Sequence, residues 1–296
     1  AASWVISPLL GGFCAAGFLW FIKARIIYQD DKIAAARKWV PVLVGIMAGA
    51  FAAYLALKGL KNLVKISMGT AVVLGLVIGV VTWLAMIPVI RRQSQGLDNR
   101  NKSLKVLFGI PLVVSAALLS FAHGANDVAN AVGPLAAIVQ ASQTGDFTHD
   151  VNIPLWVMLI GAFGISFGLF LFGPKLIRMV GSQITKLNPM RAYCVALAAA
   201  LTVIVASWLG LPVSSTHIAV GAIFGVGFFR EWDAERRLRL AQAEADRPLL
   251  PPDERRRRKL VRRAHVMTIA TAWVVTVPAA AALSAVIFLG VRLVVG

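Results

Sequence analysis

Two short stretches concentrate the polar side chains that could do chemistry in an otherwise apolar chain. They are His123-Gly124-Ala125-Asn126-Asp127, with Asn130 close behind, and Gly210-Leu211-Pro212-Val213-Ser214-Ser215-Thr216-His217. Asp127 is the only acidic residue within any long apolar segment. A carboxylate at membrane depth is costly unless paired or hydrated, so it marks a functional site by default. Asp127 and Asn130 stand three apart and share a helix face. In the second stretch Pro212 suits the first turn of a helix, and Ser214, Ser215 and Thr216 follow it. That pattern describes a helix N-terminus whose unpaired N–H groups, dipole and hydroxyls favour an anion.

An anion beside a carboxylate is repelled strongly in a dry site. The conflict is relieved if a cation lies between them, or if Asp127 is protonated and donates a hydrogen bond. Either solution ties anion binding to Na⁺ or H⁺, and Asp and Asn oxygens are hard ligands suited to such ions. No cofactor is expected beyond that coupling ion. His123 and His217, one at each stretch, do not make a metal site and are read as packing or hydrogen-bonding residues. No nucleophile, base and orienting group stand together at motif spacing, which argues against an intramembrane enzyme.

These residues have to be positioned by membrane helices. The chain has 296 residues, of which 58% are hydrophobic and 15% charged. A soluble domain carries about 25% charged residues, and disorder needs low hydrophobicity, so both classes are excluded. Apolar segments at 4–22, 39–57, 66–90, 106–141, 154–173, 192–229 and 266–295 reach or exceed the roughly 20 residues that cross a bilayer. The expectation is an all-α polytopic membrane protein. The fourth and sixth segments, with 36 and 38 residues, are too long for one simple crossing. Both are expected to be discontinuous or re-entrant, broken at 123–127 and 210–217. Such breaks are tolerated only where they line a cavity or are buried in protein, and in transporters they build the substrate site. The chain then divides into three helices and a linker (1–105), a transport core with two broken helices (106–229), a basic cytoplasmic loop (230–265) and a C-terminal helix (266–296).

The net charge of +17 would suit nucleic acid, but the basic residues sit in connectors between apolar runs, where they orient membrane proteins. If the fourth segment crosses and the sixth re-enters, lysines and arginines split 26 to 3 between the two sides. Every other arrangement weakens that bias. The connectors after the first, third, fifth and sixth segments are therefore expected in the cytoplasm. Loop 230–265, with Arg255-Arg256-Arg257-Arg258-Lys259, is expected to orient the chain and touch anionic lipid. Cys14 and Cys194 both lie in apolar segments, so neither a disulfide framework nor a zinc site is expected.

The run Ser120-Phe121-Ala122-His123-Gly124-Ala125-Asn126-Asp127-Val128-Ala129-Asn130-Ala131-Val132-Gly133-Pro134-Leu135 resembles a signature of the inorganic phosphate transporter (PiT) family. The stretch 210–217, with the following Gly221 to Gly227, resembles its second signature. The resemblance implies an inverted-repeat secondary transporter coupling phosphate uptake to Na⁺ or H⁺. By the same resemblance, Asp127, Asn130, Ser214, Ser215 and Thr216 would help hold phosphate, and Asn126 and Asp127 the coupling cation. The implied location is a cell membrane, the inner membrane in a bacterium.

Members of that family carry each motif twice, whereas this chain carries each once. It is similar to the C-terminal half of a member plus the link between halves. A missing N-terminal repeat, a second chain or a homodimer would then complete the site. The chain starts Ala1-Ala2-Ser3-Trp4 without a methionine, and the expectation is that an N-terminal part lies upstream. Two alternatives stay open: transport of sulfate or another oxyanion, and a non-transporting half that acts as sensor or assembly partner.

Overall fold

The computed structural model describes residues 2–59, 66–144, 153–179, 187–211, 213–244, 261 and 263–295. Among these, every regular element is a helix. They are α1 (Ala2–Ile22), α2 (Lys32–Tyr54), α3 (Met68–Gln93), α4 (Asn101–Leu107), α5 (Gly109–Thr144), α6 (Leu155–Met179), α7 (Pro189–Trp208), α8 (Ser215–Glu244) and α9 (Arg263–Val295). π-Helical turns at Lys23–Ile27 and Leu55–Gly59 extend α1 and α2. Seven of the helices are long and apolar enough to cross a membrane. A helix satisfies its own backbone hydrogen bonds, which is what a bilayer demands.

α7 is the centre of the bundle. Tyr193 through Ala200 are all buried, so the helix is apolar on every side, as an enclosed helix must be. Asn188 starts it by accepting a hydrogen bond from the Arg191 N–H at 3.0 Å, the usual N-cap arrangement. Phe108, at the entry to α5, meets Tyr193 edge-on with ring centroids 5.6 Å apart. By contrast, α3, α6 and α9 expose most of their apolar side chains, as helices facing lipid do.

Two glycine contacts set the closest helix approaches. α1 and α8 run parallel, with Pro8 against Gly221 and Gly12 against Gly225. A Cβ on Gly225 would collide with the Gly12 carbonyl. α2 and α3 run antiparallel, and a Cβ on Gly49 would lie 2.7 Å from the Gly75 carbonyl oxygen. Small residues let helix backbones approach closely in membranes, where dispersion replaces the hydrophobic effect as the driving force.

The connectors richest in Lys and Arg meet at one end of the bundle. Asn99 donates to the Asp30 carbonyl at 2.7 Å, and Lys23 pairs with Asp233 at 2.7 Å. Tyr28 donates a second hydrogen bond to Asp233. Burial alone would raise the Asp233 pKa, but the bonds from Lys23 and Tyr28 outweigh it and hold the carboxyl below its ordinary value. Burial, and then the neighbouring charge of Arg191, pull Arg230 down to about 10. Arg191 opens α7 and Arg230 follows the apolar part of α8, so the α7–α8 pair leaves and returns at the same end.

The structure corrects one expected break. The fourth segment is not interrupted at 123–127: α5 runs unbroken for 36 residues, with Pro134 inside it. Nothing at 123–127 forces a helix open. A glycine in a helix interior costs about 1 kcal/mol, and His123 and Asp127 pair at i,i+4 along the intact helix. The polar residues therefore project from the side of a continuous helix. The sixth segment does break, between Trp208 and Ser215. Gly210 there has φ +68, in the left-handed region that glycine enters without steric cost. A loop was expected from 230, but α8 continues to Glu244. Pro212, Pro248, Pro251, Pro252, Arg262 and the run Arg255 to Lys259 lie outside the described residues.

The α1–α8 contact gives a direct test. Gly225→Val should force the two backbones apart and lower stability by about 1–3 kcal/mol, the usual cost of overpacking. Gly17→Val, with open space around it, should leave thermal unfolding in detergent unchanged. Equal melting temperatures for the two variants would show that the contact contributes nothing.

Candidate functional site

The break between α7 and α8 folds back against the middle of α5, and the two polar stretches meet there. Ser215 Oγ donates to Asp127 Oδ1 at 2.8 Å. Asn126 Nδ2 donates to the same oxygen at 3.0 Å and to the Val213 carbonyl at 3.1 Å. His123 Nε2 lies 3.0 Å from Asp127 Oδ2. The carboxylate thus has three polar partners from α5 and α8, and Asn126 spans both elements while buried. Asp127 itself is only partly enclosed, with 30% of its side chain exposed.

Local chemistry explains the shape of the break. At the end of α7, Leu209 N donates to Val205 O at 3.0 Å and Leu211 N to Ala206 O at 2.9 Å. The last carbonyls of the helix are satisfied in this way, with Gly210 taking the left-handed position of a helix C-cap. On the far side, Ser214 Oγ accepts from the His217 N–H at 3.3 Å, which makes Ser214 the N-cap of α8. The Val213 carbonyl is taken by Asn126. A non-helical strip is tolerated inside a membrane protein when its polar groups are paired by protein.

Of the six residues singled out from sequence, four are joined and two stand apart. Asn126, Asp127 and Ser215 form one hydrogen-bonded group, and Ser214 supports it as the helix cap. Asn130 and Thr216 are exposed. His123, read from sequence as a packing or hydrogen-bonding residue and left out of the site, meets the carboxylate directly; its i,i+4 spacing from Asp127 is the signal that joins it to the site. His217 packs its ring against Trp273 of α9, centroids 4.0 Å apart, a contact no local pattern announces. Among the described residues no group of His, Cys, Asp or Glu is arranged to hold a metal ion by such ligands.

Chemically, the arrangement sets a hard oxygen donor set beside the start of a helix. Asp127 and the Asn126 side-chain oxygen could serve a small cation, and the start of α8 carries the positive end of the helix dipole, which favours an anion.

Comparison with known proteins bears on this directly. The model of a phosphate transporter family matches residues 1–284. The chain belongs to the phosphate transporter family. A Helicobacter pylori (strain J99) protein named as a phosphate permease is 51% identical over 235 residues, covering 78% of this chain and 44% of that protein. A Pyrococcus abyssi protein named in the same way is 31% identical over 286 residues, covering 97% of this chain and 64% of its own. A solved structure titled as the sodium-dependent phosphate transporter aligns with a TM-score of 0.70 and 33% identity, over 77% of this chain and 56% of that one. The chain spans about half the length of the curated relatives it first matches. The family is one of transporters, and the chain is a multi-pass membrane protein within it.

Asn126 provides the test of this geometry. Asn126→Ala would strand the buried Val213 carbonyl and cost about 1–3 kcal/mol. Amide hydrogen exchange at 209–214 should accelerate while that of α7 stays slow. Unchanged exchange at the break would mean that Asn126 does not hold it.

Proposed function

We propose that this chain takes part in cation-coupled transport of inorganic phosphate across the cell membrane, the cytoplasmic membrane in a bacterium. The observation that carries the reading is the hydrogen bond from Ser215, the first residue of α8, to Asp127 in the middle of α5. It sets the one acidic group of the apolar segments at the mouth of a helix N-terminus. Phosphate would sit against the α8 N-terminus, with the Ser215 backbone N–H and the Thr216 hydroxyl as donors and polar contacts from Asn130, while the Ser215 hydroxyl holds Asp127. Ser214 would act by capping the helix that presents them.

The electrostatics supply the coupling. Asp127 accepts from Ser215 and Asn126 and meets His123, which fixes the direction its oxygens face. A carboxylate and a phosphate this close repel unless a cation sits between them. Asn126 and Asp127 are the proposed ligands of that ion. Na⁺ is favoured over H⁺ because Asp and Asn oxygens are hard ligands suited to it, and the solved relative's title names sodium. His123 orients the carboxylate rather than shuttling its proton.

Asn130 and Thr216 are exposed, as the residues of a half-built site would be. A second set of the two motifs, from a further repeat or from another copy, would close it. Sites at repeat interfaces are the rule in inverted-repeat transporters. The basic end of the bundle would face the cytoplasm, by the positive-inside rule.

Uptake of labelled phosphate into proteoliposomes tests the reading, with the chain alone and with the remainder of a full-length relative supplied. A Na⁺ gradient should drive accumulation in the completed protein, and Asp127→Asn should abolish it while the protein still inserts. Ser215→Ala with Thr216→Ala should weaken apparent affinity by about 1–3 kcal/mol for the lost Thr216 donor, and further because Asp127 loses the Ser215 bond that positions it. Accumulation driven equally by a proton gradient without Na⁺ would reject the ion assignment. Sulfate competing as well as phosphate would reject the substrate.

A further inference from the structure

A second cavity lies away from Asp127, on the other side of α8. α9 touches α8 near two points and stands off between them. At one, Glu231 Oε1 accepts from the Val261 N–H at 2.7 Å, and its other oxygen lies 3.8 Å from Arg263. At the other, His217 packs on Trp273. Between them α1, α8 and α9 enclose a crevice of about 730 Å³. Its walls include Leu9 and Phe13 of α1, Phe224 and Phe228 of α8, and Ile269 of α9. Water would find almost no polar partner there, and an apolar cavity does not hold it.

The crevice does not end blindly. Trp232 lines it and also lines a neighbouring pocket of about 440 Å³ on the helical extension of α8, whose walls include Arg236 and Arg239. The Arg236 guanidinium lies over the Trp232 ring, 5.4 Å from its centroid. Glu235 lines the same pocket and pairs with Arg239 at 2.5 Å, so among the described residues Arg236 is the pocket's cation with no carboxylate paired to it. The groove is thus apolar along the membrane part of α8 and cationic where α8 leaves it, with an indole at the junction. Indoles favour that interfacial level, and basic residues there attract anionic headgroups.

We propose that this groove holds one anionic glycerophospholipid, with an acyl chain in the crevice and its phosphate at Arg236. The site is separate from the one at Asp127 and independent of what that site carries. It takes a lipid rather than free phosphate because the two neighbouring pockets share Trp232 as a wall, and only an amphipathic molecule fills both.

Native mass spectrometry of the detergent-solubilised chain, titrated with dioleoyl phosphatidylglycerol or dioleoyl phosphatidylcholine, tests this. One phosphatidylglycerol should be retained at roughly fivefold lower concentration than phosphatidylcholine, as expected for one arginine at a headgroup. Arg236→Gln with Arg239→Gln should erase that preference without loss of folding, since both side chains are exposed. Ala270→Trp, filling the crevice from α9, should block retention with the arginines intact. Equal retention of the two lipids, or a preference that survives the double glutamine variant, overturns the proposal. Displacement by millimolar inorganic phosphate would show that the arginines take a free anion. A dimer that excludes lipid would show that a second copy occupies the groove.

Discussion

The hydrogen bond between Ser215 and Asp127 is the point on which this architecture turns. It is the place where the α7–α8 break touches the middle of α5, and it joins residues 88 positions apart. Each neighbouring feature serves to keep it. α7 is buried through Tyr193 to Ala200, which fixes the depth at which the break occurs. The glycine contact between α1 and α8 fixes the direction in which α8 leaves it. At the opposite end, Lys23 and Tyr28 hold Asp233, so α1 grips α8 at both ends of its apolar run.

The energetic logic is that of a polar group in a medium without water. A carboxylate among membrane helices is expensive alone, and an exposed strip of backbone is no cheaper. Each solves the other's problem here. Asn126 takes the Val213 carbonyl of the break and donates to Asp127 with the same amide nitrogen, while Ser215 donates from the new helix start. A polar network is favourable only when its members are satisfied, and this one is satisfied by a break and an acid that would each be unstable separately.

Much of this was legible in the sequence, because membrane helices announce themselves by length and apolarity. The apolar segments, the break after Trp208 and the polar cluster around Asp127 all follow from composition and from residues such as Gly210 and Ser214 with known conformational preferences. The family resemblance rested on the same motifs and is matched across residues 1–284. The break expected at 123–127 failed for a physical reason. Polarity inside an apolar run shows that something must satisfy those groups, not that the helix opens; here α8 and His123 satisfy them from the side. His123 was passed over because a single histidine carries little signal until its neighbour at i,i+4 is known to be on the same helix. The crevice at α9 depends on contacts between distant helices and has no local signature at all.

The central claim is that Asp127 and Ser215 interact, rather than merely lying near one another. A double-mutant cycle on thermal stability in detergent, using Asp127→Ala, Ser215→Ala and the pair, isolates that term. The account predicts a coupling of about 1–3 kcal/mol, within the range for residues sharing a hydrogen-bond network. Strictly additive effects of the two substitutions would contradict it.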